Sequence, residues 1–207
     1  MVENTKNKEH ILRFFYIVVL LLMIPSGIHA ADNPTDVEVL LRGKLDAVTM
    51  VLQKNDLDLQ GKKLEISEIV SPIFDFALMA KLTLGRDHWT ALNKDQKGRF
   101  TELFIRLLKE TYLDKVSLYS DETINIVGSI QIKNKVHVTT ELNSKGKKFS
   151  MLYKFYKSRN GWKIYDVEIE GISLITSYRS QFDQELRNGT VDDLLLKMEK
   201  SKNTQSG

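Results

Sequence analysis

The chain has 207 residues, carries a formal net charge of +3 and contains no cysteine. That length suits one domain with a real core, and the missing thiols exclude disulfides and attachment through a lipidated cysteine. With 30 bases nearly balanced by 27 acids and no recognised binding motif, nucleic acid is disfavoured as a partner.

The first 30 residues read as an export signal. Lys6, Lys8 and Arg13 precede an unbroken apolar run of 11 residues from Phe14 to Ile24, followed by Pro25, Gly27 and the sequence Ile28-His29-Ala30. A basic start, a short apolar region and a small residue at the cut define a secretory signal peptide, and the run falls short of the about 20 residues that span a bilayer. Cleavage is expected after Ala30. The predicted organisation is a signal peptide over 1–30, a single exported domain over 31–200 and a disordered tail over 201–207.

In the mature chain, Thr35 is expected to cap a helix whose apolar stripe runs Val37, Leu40, Leu41, Leu45, Val48 and Leu52. A shorter helix is predicted over Lys62–Ile73, disturbed by Pro72, and another over Phe74–Leu84 with Gly85 as its stop. Asn93 and Gln96 form a capping box for the longest helix, lined by Phe100, Leu103, Phe104, Leu107, Leu108, Tyr112 and Val116. Beyond Tyr119 the period falls to two. Ile124, Ile126, Ile130 and Ile132 alternate around Gly128, which marks a bulge or turn. Val136, Val138 and Leu142 mark a second strand, and Phe149, Met151, Tyr153 and Phe155 a third. Trp162–Glu170 is the last strand, with Tyr165, Val167 and Ile169 on one face and Asp166, Glu168 and Glu170 on the other. Short turns make these strands an antiparallel meander. After Gly171 the period returns to that of a helix, with Leu174, Ile175, Tyr178, Phe182 and Leu186 on one stripe. Gly189 stops it, and Thr190 with Asp193 caps a final helix. Helices, then sheet, then helices predict an α+β domain.

Little here resembles catalytic equipment. His10 and His29 depart with the leader, leaving His88 beside Trp89 and His137 between two valines. Both read as surface residues, and the Asp166, Glu168, Glu170 row reads as the wet face of a strand. No nucleophile elbow, zinc-binding pair, dinucleotide turn or phosphate loop is present. No catalytic residue, metal site or cofactor is assigned. Between Lys133 and Lys163 nine bases face one acid, Glu141. That cluster reads either as a strand surface guarded by lysines or as a face for anionic membrane or an acidic partner.

Four stretches together carry a resemblance: FDFALMAKLTLGRDHW (74–89), FTELFIRLLKETYLDKVSLYS (100–120), GWKIYDVEIEGISLITSYRSQF (161–182) and LRNGTVDDLL (186–195). In this order and spacing, over roughly residues 70–198, the chain resembles the MlaC (toluene-tolerance) family of periplasmic phospholipid-binding proteins. The helix over residues 35–60 agrees only in position and type. The resemblance implies a curved antiparallel NTF2-like sheet wrapped against helices around an apolar cavity. It also implies a diacyl phospholipid as ligand, with its tails inside and its headgroup outside. The implied partners are an inner-membrane ABC complex with an MCE-domain ring and an outer-membrane lipoprotein–porin complex. The implied role is shuttling glycerophospholipids between the membranes, as the binding component of a system that maintains outer-membrane lipid asymmetry.

Fold position then suggests Met151, Tyr153, Phe155, Val138, Val167 and Ile169, with Tyr165, as the inner face of the sheet. Leu174, Ile175, Tyr178 and Phe182 are expected to close one wall, and Phe76, Met79, Phe104, Leu107, Leu108 and Tyr112 the other. Lys147, Lys148 and Arg159 are candidates to meet a headgroup phosphate at the rim. The alternatives are a ligand-free interaction module of the envelope with the same fold, and a small-molecule enzyme on that scaffold.

Overall fold

Helix starts in this chain are written in short polar side chains. The computed structural model describes residues 34–116, 123–144 and 146–200; the expected leader and the tail beyond residue 200 lie outside them. The first helix, α1 (Pro34–Leu52), opens on Pro34, whose fixed φ and missing N–H suit the first helical turn. Thr35 therefore lies within that turn. Asp58 caps α2 (Leu59–Val70), accepting the Gly61 N–H at 2.7 Å, so this helix starts three residues earlier than the apolar pattern predicts. A 3-10 turn (Ser71–Ile73) contains Pro72, which cannot donate to a continuing helix.

Asp75 caps α3 (Phe76–Leu84) through the Leu78 N–H at 2.9 Å, and Gly85 ends it at φ 78°. Phe74 is withdrawn from that helix to bridge Ile164 in parallel. A short α4 (Arg86–Ala91), which the sequence pattern does not announce, leads to α5 (Lys94–Val116). Its capping box closes in both directions: Gln96 N–H donates to Asn93 Oδ1 at 2.9 Å, and Asn93 N–H donates to Gln96 Oε1 at 3.2 Å.

Five antiparallel strands follow in sequential order: β1 (Thr123–Ile132), β2 (Lys135–Ser144), β3 (Lys147–Ser158), β4 (Gly161–Ile169) and the two-residue β5 (Ile172–Ser173). They form a curved sheet. Ser173 caps α6 (Leu174–Asn188) through the Thr176 N–H, and Thr190 with Asp193 caps α7 (Val191–Lys200). The predicted α+β order holds. Among the described residues, no helix is long and apolar enough to cross a membrane.

Two bulges alter which face a side chain takes, because one extra residue reverses the alternation beyond it. In β1 the register shifts between Ile126 and Gly128. Ile126 stays opposite buried Thr140, while Ile130 and Ile132 move opposite His137 and Lys135, onto the outer face. The predicted single row of four isoleucines is thus split in two. In β4 the shift falls between the partners of Lys154 and Phe155, so Ile164 and Val167 both face inward. Tyr165, expected inside, points outward with its hydroxyl 3.4 Å from His137 Nε2.

The interior divides into two main apolar cores. The sheet core joins Val136, Val138, Tyr153, Phe155, Ile164 and Val167 to Val37 and Leu41 of α1. The helical core joins Met79 and Leu84 of α3, Phe100, Phe104 and Leu108 of α5, Ile175, Tyr178 and Phe182 of α6, and Leu195 and Met198 of α7. Aromatic edges meet faces there, Phe100 on Phe182 at 5.4 Å and Phe104 on Tyr178 at 5.6 Å. Such pairs contribute about 0.5–1.5 kcal/mol each beyond the area they bury. A smaller third cluster packs Val48 and Val51 of α1 on Ile66 of α2.

Candidate functional site

The junction of β4 with the start of α6 is closed by polar contacts on the outer face of the sheet, while the seam between the sheet core and the helical core is open. The closed part centres on Asp166, which is 4% exposed. Its carboxylate pairs with Lys154 at 3.0 Å, accepts the Ser173 hydroxyl at 2.8 Å and accepts the Ile175 N–H at 3.2 Å. Lys154 also pairs with Glu168. The acidic row expected to be wet therefore begins with a buried carboxylate that ties β4 to the start of α6. A buried ion pair survives only when its remaining lone pairs are also satisfied, and the Ser173 and Ile175 donors supply that.

The open part is a cleft of about 610 Å³. Three elements build it. On α5, Leu107 and Thr111 are one turn apart, with Tyr112 beside them. On α6, Leu174, Ser177, Tyr178 and Gln181 fall at i, i+3, i+4 and i+7, one face of a helix. Between them the β4–β5 turn contributes Ile169, Glu170 and Ile172. That turn holds two residues at positive φ, Glu170 at 51° and Gly171 at 76°, and it leaves Ile172 at the rim, 64% exposed. The Glu170 N–H donates to Ser150 O at 2.9 Å, and the Ser150 N–H donates to the Glu170 carboxylate, which pins the turn to β3. Six lining residues are apolar or aromatic; Thr111, Glu170, Ser177 and Gln181 add polar groups. Burial, with Tyr178 as neighbour, pushes the Tyr112 phenol up to about 12, so it is an uncharged donor at neutral pH.

The sixteen residues suggested by sequence fall into three groups. Leu107, Tyr112, Ile169, Leu174 and Tyr178 line the cleft. Met79, Phe104, Leu108, Ile175 and Phe182, with partly buried Phe76, pack the helical core. Val138, Tyr153, Phe155 and Val167, with partly buried Met151, pack the sheet core. Sequence reasoning missed Thr111, Glu170, Ile172, Ser177 and Gln181. Thr111, Ser177 and Gln181 lie within one helical turn of apolar lining residues, a signal the pattern did contain. Of the rim cations, Lys148 pairs with Glu141 at 3.0 Å. Arg159 sits in the hairpin at the other end of β3, eight residues from Met151, or roughly 25 Å at strand spacing.

The remaining candidates for chemistry are dispersed. His88 Nε2 is 3.9 Å from Asp183 on the surface. His137 lies on the outer face of the sheet, where partial burial and then Lys154 and Lys135 lower its pKa below 6.5, leaving it neutral at pH 7. Among the described residues no cluster of three His, Asp or Glu side chains is arranged to hold a metal ion.

Comparison with known proteins gives these features a context. The chain is 21% identical over 201 residues, 91% of its own length and 92% of the other, to the intermembrane phospholipid transport system binding protein MlaC of Haemophilus influenzae. Its fold matches that of a phospholipid-binding protein from Ralstonia solanacearum, solved in complex with a phospholipid, with a TM-score of 0.73 and 24% identity. That match covers 82% of this chain and 98% of the other. The match to the family described as MlaC protein spans residues 43–200, reaching back into α1 beyond the four stretches that first suggested it. This chain belongs to the MlaC family.

Proposed function

We propose that this protein is a periplasmic phospholipid carrier that receives acyl chains in the cleft between its two cores. Its role is the binding component of an ABC-type system that moves glycerophospholipids between inner and outer membranes and maintains outer-membrane lipid asymmetry. Its partners in this reading are an inner-membrane ABC complex with an MCE-domain ring and an outer-membrane lipoprotein–porin complex. Residues 1–30 direct export and are removed. The observation that carries the reading is the cleft itself, about 610 Å³ and walled mainly by apolar side chains, within the about 300–1,000 Å³ typical of ligand sites. Membership of the MlaC family and the phospholipid bound by the Ralstonia relative support it.

The physics explains why a carrier is required. Each buried methylene is worth about 0.8 kcal/mol, so one chain of about 16 carbons is held in a bilayer by roughly 12 kcal/mol against water. Spontaneous escape into the aqueous periplasm is correspondingly rare. An apolar cleft gives the tails surroundings close to those of the bilayer, so transfer lies near balance and proceeds when a partner is docked. Direction comes from the partners, and the carrier needs no nucleotide site. Binding rather than catalysis is its function.

Native mass spectrometry with lipid extraction, on protein purified without detergent, tests this. The expected result is a population one or two phospholipid masses above apo protein. Apo protein that also refuses lipid from vesicles would sink the carrier reading and leave the ligand-free interaction module.

A further inference from the structure

We propose that the outer face of the sheet, at its β1–β2 and β3–β4 hairpin end, docks onto an anionic phospholipid bilayer. This surface is separate from the cleft, and the proposal holds whether or not the cleft carries lipid. Both hairpins turn at the same end, because Lys135 pairs with Tyr156 and Ser158 with Gly161. That end gathers Lys133, Lys135, Lys157, Arg159 and Lys163, five of the nine bases in the run seen in the sequence. The carboxylates on this face are Asp166 and Glu168, both paired with Lys154 in and beside the row of Ile130 and His137, and Asp75, which accepts the Tyr156 hydroxyl and caps α3. Lys163 also donates to Pro72 O.

What turns a basic patch into a membrane surface is the apolar component, and the β1 bulge supplies it. Beyond the bulge, Ile130 and Ile132 stand outward at 60% and 42% exposure, with Val127 at 61%. In register across four strands, Ile132, Lys135, Tyr156 and Lys163 stand side by side. Lys135 Nζ lies 4.5 Å above the Tyr165 ring, and Tyr156 meets Tyr165 edge-on at 6.2 Å. Aliphatic side chains that reach past headgroups, tyrosines at headgroup depth and flexible bases on phosphates are the combination a bilayer interface selects. An acidic protein partner would account for the bases and leave the isoleucines without a role. A second copy added to the β1 edge would be opposed by the bulge, which interrupts the edge ladder.

The geometry has a consequence. The cleft lies beside Met151 and Ile169, roughly 25 Å along β3 from the docking end. A protein resting on its hairpins holds the cleft clear of that bilayer, so lipid passes to a docked partner and not directly to the surface beneath.

The test is flotation of the exported protein with vesicles of phosphatidylglycerol and phosphatidylcholine, against vesicles of phosphatidylcholine alone. Binding is expected only to the anionic vesicles and is expected to weaken with salt. Lys133→Asn with Arg159→Gln should lower it about thirtyfold, and Asn suits the left-handed φ of 57° at residue 133. Ile130→Thr with Ile132→Thr, which keeps β-branched residues in the strand, should also lower it. Both double variants should keep the wild-type melting temperature and phospholipid load. Leu107→Trp, which obstructs the cleft, should leave vesicle binding intact. Equal binding to both vesicles, or loss of binding in Leu107→Trp alone, would overturn the proposal. So would a wild-type dimer by ultracentrifugation that the isoleucine variants dissociate, since that assigns the face to a second copy.

Discussion

Val138 and Leu107 are both apolar residues on the inward stripe of a regular element, yet they meet different surroundings. Val138 is fully buried beneath α1, enclosed by neighbouring strands and by Val37 and Leu41. Leu107, on α5, is half-buried and faces the cleft where the helical core stops short of the sheet. A sheet under a helix closes because its inward residues are all met from one side. Two cores that share an edge need something to fill the boundary. Here part of it is left as a cleft, while on the outer face Asp166 ties β4 to the start of α6.

The largest effect is expected where β4 is tied to α6. Asp166→Ala strands Lys154 with Glu168 alone and frees the Ser173 hydroxyl and the Ile175 N–H. Breaking a buried pair of this kind costs about 3 kcal/mol, read as a lower midpoint in urea unfolding. A loss below about 0.5 kcal/mol, the scale of an ordinary surface change, would mean that β4 and α6 hold together without this contact.

Next is a matched pair of substitutions. Val138→Trp overfills the sheet core and should cost about 1–3 kcal/mol. Leu107→Trp should cost less than that, because the new ring has the cleft to enter, while reducing the phospholipid load measured by mass spectrometry. Equal destabilisation by both would erase the distinction between closed core and open cleft.

The smallest effect is silent at neutral pH and emerges only above about pH 10. Burial pushes Tyr153 in the sheet core up to about 12, and burial with Tyr178 does the same for Tyr112 at the cleft. For a group raised in the folded state, the contribution is fully present below the unfolded pKa of about 10 and is lost as pH rises through about 12. Tyrosinate absorbance, assigned with Tyr112→Phe and Tyr153→Phe, follows both. Lipid loading should move Tyr112 further upward and leave Tyr153 where it is. Joint movement would show that the ligand reaches the sheet core as well.

Much of this protein could be read from its sequence. The capping pairs Asn93 with Gln96 and Thr190 with Asp193 act over three residues, so local spacing was enough to locate two helix starts. The α5 and α6 stripes and the meander follow from periods of 3.6 and 2 in single segments, and the four family stretches from their order alone. Tertiary structure decided the rest. Whether Tyr165, Ile130 and Ile132 face in or out depends on bulges, and a bulge is a property of two paired strands, not of one. The cleft joins residues 107–112 to residues 169–181. Its apolar residues look like core in each segment, because a stripe records which side of an element is dry but not whether a neighbour arrives to fill the space opposite.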